Sequence, residues 1–118
     1  WQEQLGPIHL AACEHAQAMP KNGAVGMFRY GQGFGEIIGV LTAMRIPFQL
    51  VKPRIWQAQA FKGTPAGDPP KKRALVAARR LWPDQTWLAS PRCTKPHEGL
   101  IDAALIGWYA RSITIMEP

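Results

Sequence analysis

Apolar and polar positions change their period several times along this chain, and each change predicts an element. Ile8-His9-Leu10-Ala11-Ala12-Cys13-Glu14 is nearly all apolar without a helical period, which predicts a strand buried on both faces. It ends at Glu14, and Met19-Pro20-Lys21-Asn22-Gly23 predicts a turn. From 24 to about 45 the pattern is helical, with glycines at 26, 31, 33, 35 and 39. Each is about 1 kcal/mol less favourable than Ala inside a helix, so the run predicts close approach of this backbone to another element or subunit. Residues 47–53 predict a second strand, and 54–62 a short helix opened by Pro53 and anchored by Trp56. A Gly/Pro-rich loop is expected over 63–70. Residues 71–82 predict a helix that stops before Pro83, with Leu75, Ala78, Leu81 and Trp82 toward the core. An irregular stretch over 84–96 leads to a last helix from 98 to about 112, whose buried side is Leu100, Ile101, Ala104, Leu105 and Trp108. The order strand, helix, strand and then helices predicts an α/β layer fold, and 118 residues predict a single domain.

Composition adds limits. At 47% apolar residues the chain can bury a core, which excludes wholesale disorder. Charged residues interrupt every long apolar run, so no membrane helix is expected, and no basic-then-apolar leader is visible. Cys13 and Cys93 are too few and too far apart for a disulfide framework or a zinc site, and a reducing compartment is expected.

Charge changes the picture more. Residues 45–95 carry eleven basic side chains against Asp68 and Asp84, a local net of +9 in a chain whose net is +6. The other 67 residues carry three basic and six acidic side chains. Such a cationic region points to a polyanion, nucleic acid first and an anionic membrane second, or to a merely solvated surface.

With eight acids, each can be weighed by position. Glu14 closes an apolar strand, at the edge where open α/β sheets bind ligands; it is either a site carboxylate or a surface strand-end acid. Asp102 lies inside Leu100-Ile101-Asp102-Ala103-Ala104-Leu105-Ile106, where an unpaired buried charge is costly. It is expected to face a cleft or a metal, salt-bridging being the alternative. Glu98 precedes it by four residues, so both carboxylates share a helix face and repel unless a cation intervenes. Hard divalent cations are held in this way. Three carboxylates beside a cationic surface suggest metal-assisted phosphodiester cleavage, with two metal ions about 4 Å apart. His97 is a general base, a metal ligand or a cap of the last helix. His9 is expected as a core histidine, and His15 lines the same edge as Glu14.

Several segments taken in order resemble the RuvC-type Holliday-junction resolvases. They are Glu14-His15-Ala16-Gln17-Ala18-Met19-Pro20-Lys21-Asn22-Gly23, Gly31-Gln32-Gly33-Phe34-Gly35 and Pro53-Arg54-Ile55-Trp56. The basic Lys71-Lys72-Arg73 helix ending at Leu81-Trp82-Pro83 and the closing His97-Glu98-Gly99-Leu100-Ile101-Asp102 complete the set, over residues 8–112. The resemblance implies a ribonuclease-H-like mixed sheet flanked by helices, a homodimer, and symmetric nicking of four-way DNA junctions with magnesium, which manganese can replace. It matches Glu14 to the family's second acid and Asp102 to its last. Family members often carry an acid, then His, then Gly before the final helix. Here the order is His97, Glu98, Gly99, which leaves either His97 or Glu98 to supply the remaining group. Lys71 or Lys72 matches a basic position that contacts the junction. Gln57 stands where many relatives have Lys, and the family's aromatic wedge is missing, leaving Met19, Pro20 or Phe28 to act in its place. The family's first catalytic Asp sits in a strand that would precede Trp1, so the chain is expected to be a fragment.

The combined reading is a resolvase with metal ions among Glu14, Glu98, Asp102 and that earlier Asp. The 45–95 region, including Arg54, Lys71, Lys72, Arg73 and Arg79, together with Lys21 and Arg29, would hold DNA phosphates. The glycine-rich helix would be the dimer seam. The alternatives are a non-catalytic junction- or duplex-binding module and a nuclease of the same fold group acting on RNA–DNA hybrids. The expected location is the chloroplast nucleoid, with bacterial and phage origins as alternatives.

Overall fold

A computed structural model of the chain describes residues 2–15, 17, 21 and 23–116. The elements in order are α1 (Gln2–Leu5), β1 (Ala11–Glu14), α2 (Ala24–Ala43), β2 (Phe48–Val51), α3 (Pro53–Ala60), α4 (Pro70–Leu81) and α5 (Glu98–Met116). The class is mixed α/β, as expected, and the chain divides into two compact units, Trp1–Leu50 and Val51–Pro118.

In the first unit, β1 and β2 form a two-stranded parallel sheet, with α2 between them in sequence as the crossover that a parallel pair requires. Pairing is short because Pro47 and Pro53 flank β2 and neither offers an N–H to a ladder. The Ala11 amide donates to the Pro47 carbonyl at 2.9 Å, and the residues before it stay outside the ladder. The expected two-faced burial of residues 8–14 is therefore corrected. Every residue of β1 is half-buried, and His9, expected in the core, is exposed.

α2 ends in a Schellman motif built without glycine. Arg45 takes a left-handed φ of 55°, its amide donates to the Thr42 carbonyl at 3.1 Å, and Ile46 N–H reaches the Leu41 carbonyl at 2.9 Å. Ile46 is buried just beyond the helix, the apolar contact that accompanies such a stop. None of the residues of α2 is buried.

The second unit is a helical layer in which α3, α4 and α5 pack against one another. Proline at the first position opens both α3 and α4, where its missing N–H is no loss and its φ is already helical. Trp56 of α3 is 1% exposed and meets Phe61 edge-on at 5.9 Å. Around them lie Ala60, Ala74, Ala77, Ala78, Ile101, Leu105, Ile106 and Ala110, all buried. The expected buried faces shift slightly. α4 presents Ala74, Ala77 and Ala78 rather than Leu75, Leu81 and Trp82, which are half-buried, because small side chains let helix axes approach. In α5, Ile101, Leu105, Ile106 and Ala110 form the inner stripe, and Leu100 is turned out to 44% exposure.

Two arginines of α4 close the connection between α3 and α4. Arg73 donates to Thr64 Oγ1 at 2.9 Å and to the Phe61 carbonyl, and its guanidinium lies 4.9 Å over the Phe61 ring. Arg80 donates to the Lys62 carbonyl at 2.9 Å. Between these anchors Gly63 takes a φ of 79°, a left-handed conformation that calls for glycine. Among the described residues no helix is long and apolar enough to cross a membrane.

Candidate functional site

Four site candidates of the second unit, Lys71, His97, Glu98 and Asp102, meet around the start of α5. Glu98 and Asp102 occupy successive turns of that helix, and Lys71 from the first turn of α4 places Nζ 2.9 Å from Glu98 Oε2. Asp102 is half-buried, and its carboxyl is held above the ordinary aspartate range. Burial is the main cause and the Glu98 charge the second, with Lys71 pulling the other way. No ion pair to Asp102 is present among the described residues.

His97 is the N-cap of α5. Its Nδ1 accepts the Leu100 amide at 3.2 Å, and its carbonyl accepts the Ile101 amide at 3.3 Å as the first helical bond. The His97 amide in turn donates to the Trp87 carbonyl at 2.6 Å. Trp87 holds a left-handed φ of 62° and stacks edge-on against Trp82 at 5.6 Å. Gly99 leaves room for the imidazole, since a Cβ there would meet His97 Cε1 at 3.0 Å. Sequence reasoning misses Trp87 and Gly99 as supports of the cap. Trp87 offers a weak signal, a bulky aromatic amid turn residues.

The remaining candidates are dispersed. Glu14 ends β1 in the first unit, half-buried beside His15. Lys21, Phe28 and Arg29 are exposed in that unit, Phe28 at 74%. Met19 and Pro20 lie outside the described residues. In the second unit Arg54 and Arg79 are exposed, Lys72 pairs with Asp68 at 3.5 Å, and Arg73 turns inward as described. The charge follows the same division. The second unit carries eleven basic and five acidic side chains, net +6, and the first three of each.

Glu98 and Asp102 are hard oxygen donors whose mutual repulsion a divalent cation would relieve, and magnesium commonly takes one or two carboxylates, leaving other positions to water and phosphate. The pair fits that use. Among the described residues no three His, Cys, Asp or Glu side chains gather closely enough to form a fuller cage. Neither a scan against protein-family models nor a search of curated proteins finds a match to this chain.

Proposed function

We propose that the chain is a magnesium-dependent endonuclease of ribonuclease-H-like fold that nicks four-way DNA junctions symmetrically as a homodimer. The observation that carries this reading is the Glu98–Asp102 pair, with its raised Asp102 carboxyl, on a unit that holds the whole net charge of +6. In this reading Glu98 and Asp102 would hold magnesium, which when bound would polarise the phosphate and lower the pKa of its water; Glu14 is a candidate acid by the resemblance alone. Hydrolysis breaks one P–O bond of the backbone, forms another to the oxygen of water, and delivers a proton to the departing oxygen. His97 serves here as the cap that fixes the first turn of α5, with Nδ1 occupied by the Leu100 amide. Arg54, Arg79 and Arg80 supply cationic surface for phosphates without selecting a base sequence.

The test is cleavage of a synthetic four-way junction with magnesium, run beside a linear duplex of the same arms. Paired nicks on the junction alone, lost in Asp102→Asn and Glu14→Gln, support the proposal. A second reading is favoured by one observation: Lys71 already neutralises Glu98, as suits a module that binds junctions without cutting. Tight junction binding with no nicks at any magnesium concentration selects that module.

A further inference from the structure

Trp82 and Trp87 form an aromatic pair in the irregular segment between α4 and α5. Their rings meet edge-on at 5.6 Å, and both residues are half-buried, so part of the pair stays open to solvent. The Trp82 amide donates to the Ala78 carbonyl at 2.8 Å as α4 ends, and the Trp82 carbonyl accepts the Gln85 amide at 3.2 Å. Trp87 is braced in turn. The residues on either side of it are joined by a bond from the Leu88 amide to Thr86 Oγ1 at 3.4 Å, and its carbonyl accepts the His97 amide at 2.6 Å.

The placement of Trp87 is costly for what it gives the fold. A φ of 62° is unfavourable for so bulky a residue and persists only where its surroundings enforce it. The indole gains no hydrogen bond there, since among the described residues Trp87 Nε1 is buried without a partner. The buried core of the unit is centred on Trp56 and Leu105 and includes neither ring of the pair.

The charges nearby point to a ligand. Within residues 79–97, Arg79, Arg80, Arg92 and Lys95 are all exposed, against Asp84 as the acid of the segment. Aromatic rings among cations suit a chain that alternates phosphates with bases, because the cations hold the backbone while bases stack on the rings. An apolar peptide would use the rings and leave the cations idle. A duplex keeps its bases stacked on one another, so such a surface favours unpaired strands.

We propose that Trp82 and Trp87 form a stacking ledge for unpaired bases of single-stranded nucleic acid, with Arg79, Arg92 and Lys95 taking its phosphates. The ledge rests on nucleic acid as the ligand of the proposed function and extends that ligand to unpaired nucleotides. It requires no cleavage.

The test is binding of a fluorescein-labelled oligothymidine to the whole chain, without divalent cations. Trp87→Leu keeps an apolar side chain without a π face. It should weaken binding by about tenfold and leave the slope of log affinity against log salt unchanged. Trp87→Phe keeps a ring and should stay within about threefold of wild type. Arg79→Ala should lower the slope by about 0.7. In wild type, irradiating an oligomer that carries 5-iodouracil should cross-link Trp82 or Trp87, located by peptide mass spectrometry; this readout is independent of how any variant folds. Cross-links confined to other residues overturn the ledge. So does a Trp87→Leu variant that binds like wild type, or one that loses equally on oligothymidine and on a duplex. A chain that cross-links at the ledge and never nicks junctions keeps the ledge and removes the nuclease reading; one that nicks without that cross-link does the reverse.

Discussion

Lys71 Nζ stands 2.9 Å from Glu98 Oε2, tying the first turn of α4 to the first turn of α5. A lysine at a helix start opposes the macrodipole, and here the carboxylate of a second helix start offsets it. The pair is exposed on both sides, so Lys71→Gln should change unfolding free energy by less than about 1 kcal/mol. The larger effect is expected on cations. With the ammonium gone, calorimetry should find magnesium binding severalfold tighter, and the salt dependence of junction binding should lose about one unit of slope. An unchanged magnesium affinity would show that Lys71 and the metal do not compete for Glu98.

His97 gives a clean separation of capping from proton transfer. His97→Ala removes the acceptor for the Leu100 amide and should destabilise the protein by about 1 kcal/mol in urea unfolding. His97→Asn keeps an acceptor at that position and should recover stability together with nicking. A variant that folds like wild type yet loses about a hundredfold or more in nicking rate would assign His97 to proton transfer instead.

Arg73 and Arg79 share a helix and should behave oppositely. Arg73 makes its bonds to Thr64 and Phe61, so Arg73→Met is expected to cost about 2 kcal/mol of stability. Arg79 is exposed at the other end of α4, so Arg79→Ala should leave unfolding within about 0.5 kcal/mol of wild type and lower junction affinity across all sequences. Measuring urea unfolding and junction titration on both variants checks the contrast; equal stability losses would contradict it.

The Asp102 carboxyl carries a pH signature. Its folded-state pKa is raised, chiefly by burial, so the native protein binds more protons than the unfolded chain between the two values. Stability contributed by this group therefore falls as pH rises through that window, and the penalty persists at neutral pH. Without divalent cations, Asp102→Asn should melt slightly higher than wild type at pH 7. The gap should close as pH drops below the ordinary aspartate value of about 3.9. A gap of the same size at every pH would mean the effect comes from packing.

The left-handed Arg45 offers a stability gain. Glycine adopts that conformation without the Cβ clash, so Arg45→Gly should stabilise the protein by up to about 1 kcal/mol, read as a rise in melting temperature. A fall would show that the Arg45 side chain contributes more than its backbone strain removes.

Much of the second unit was legible because its punctuation is local. Pro53, Pro70 and Pro83 mark where α3 and α4 begin and end, and a four-residue spacing puts Glu98 and Asp102 on one face without any knowledge of tertiary structure. The phase of α5 was harder to read. Around Asp102 nearly every position is apolar, so only packing against α3 and α4 decides that Ile101 turns in and Leu100 out. On α4 the eye favours the largest side chains, whereas close helices put alanine at the contact. The cap from His97, its tie to Trp87 and the inward turn of Arg73 join irregular or distant segments, and no periodicity announces them. The α/β class was legible from the order of elements; the extent of the sheet was not, because the prolines flanking β2 limit pairing to four residues.

The nine residues between α3 and α4 hold Gly63, Gly67, Pro65 and Pro69, a composition expected of a supple hinge. Arg73 and Arg80 remove that freedom by gripping the carbonyls of Phe61 and Lys62 from the neighbouring helix. Whatever anion settles beside this connection meets a segment whose disorder was already given up when the chain folded, so contact there need not be weakened by fresh ordering. The arginines serve in this way as preorganisation, setting a rigid floor beneath a charged surface.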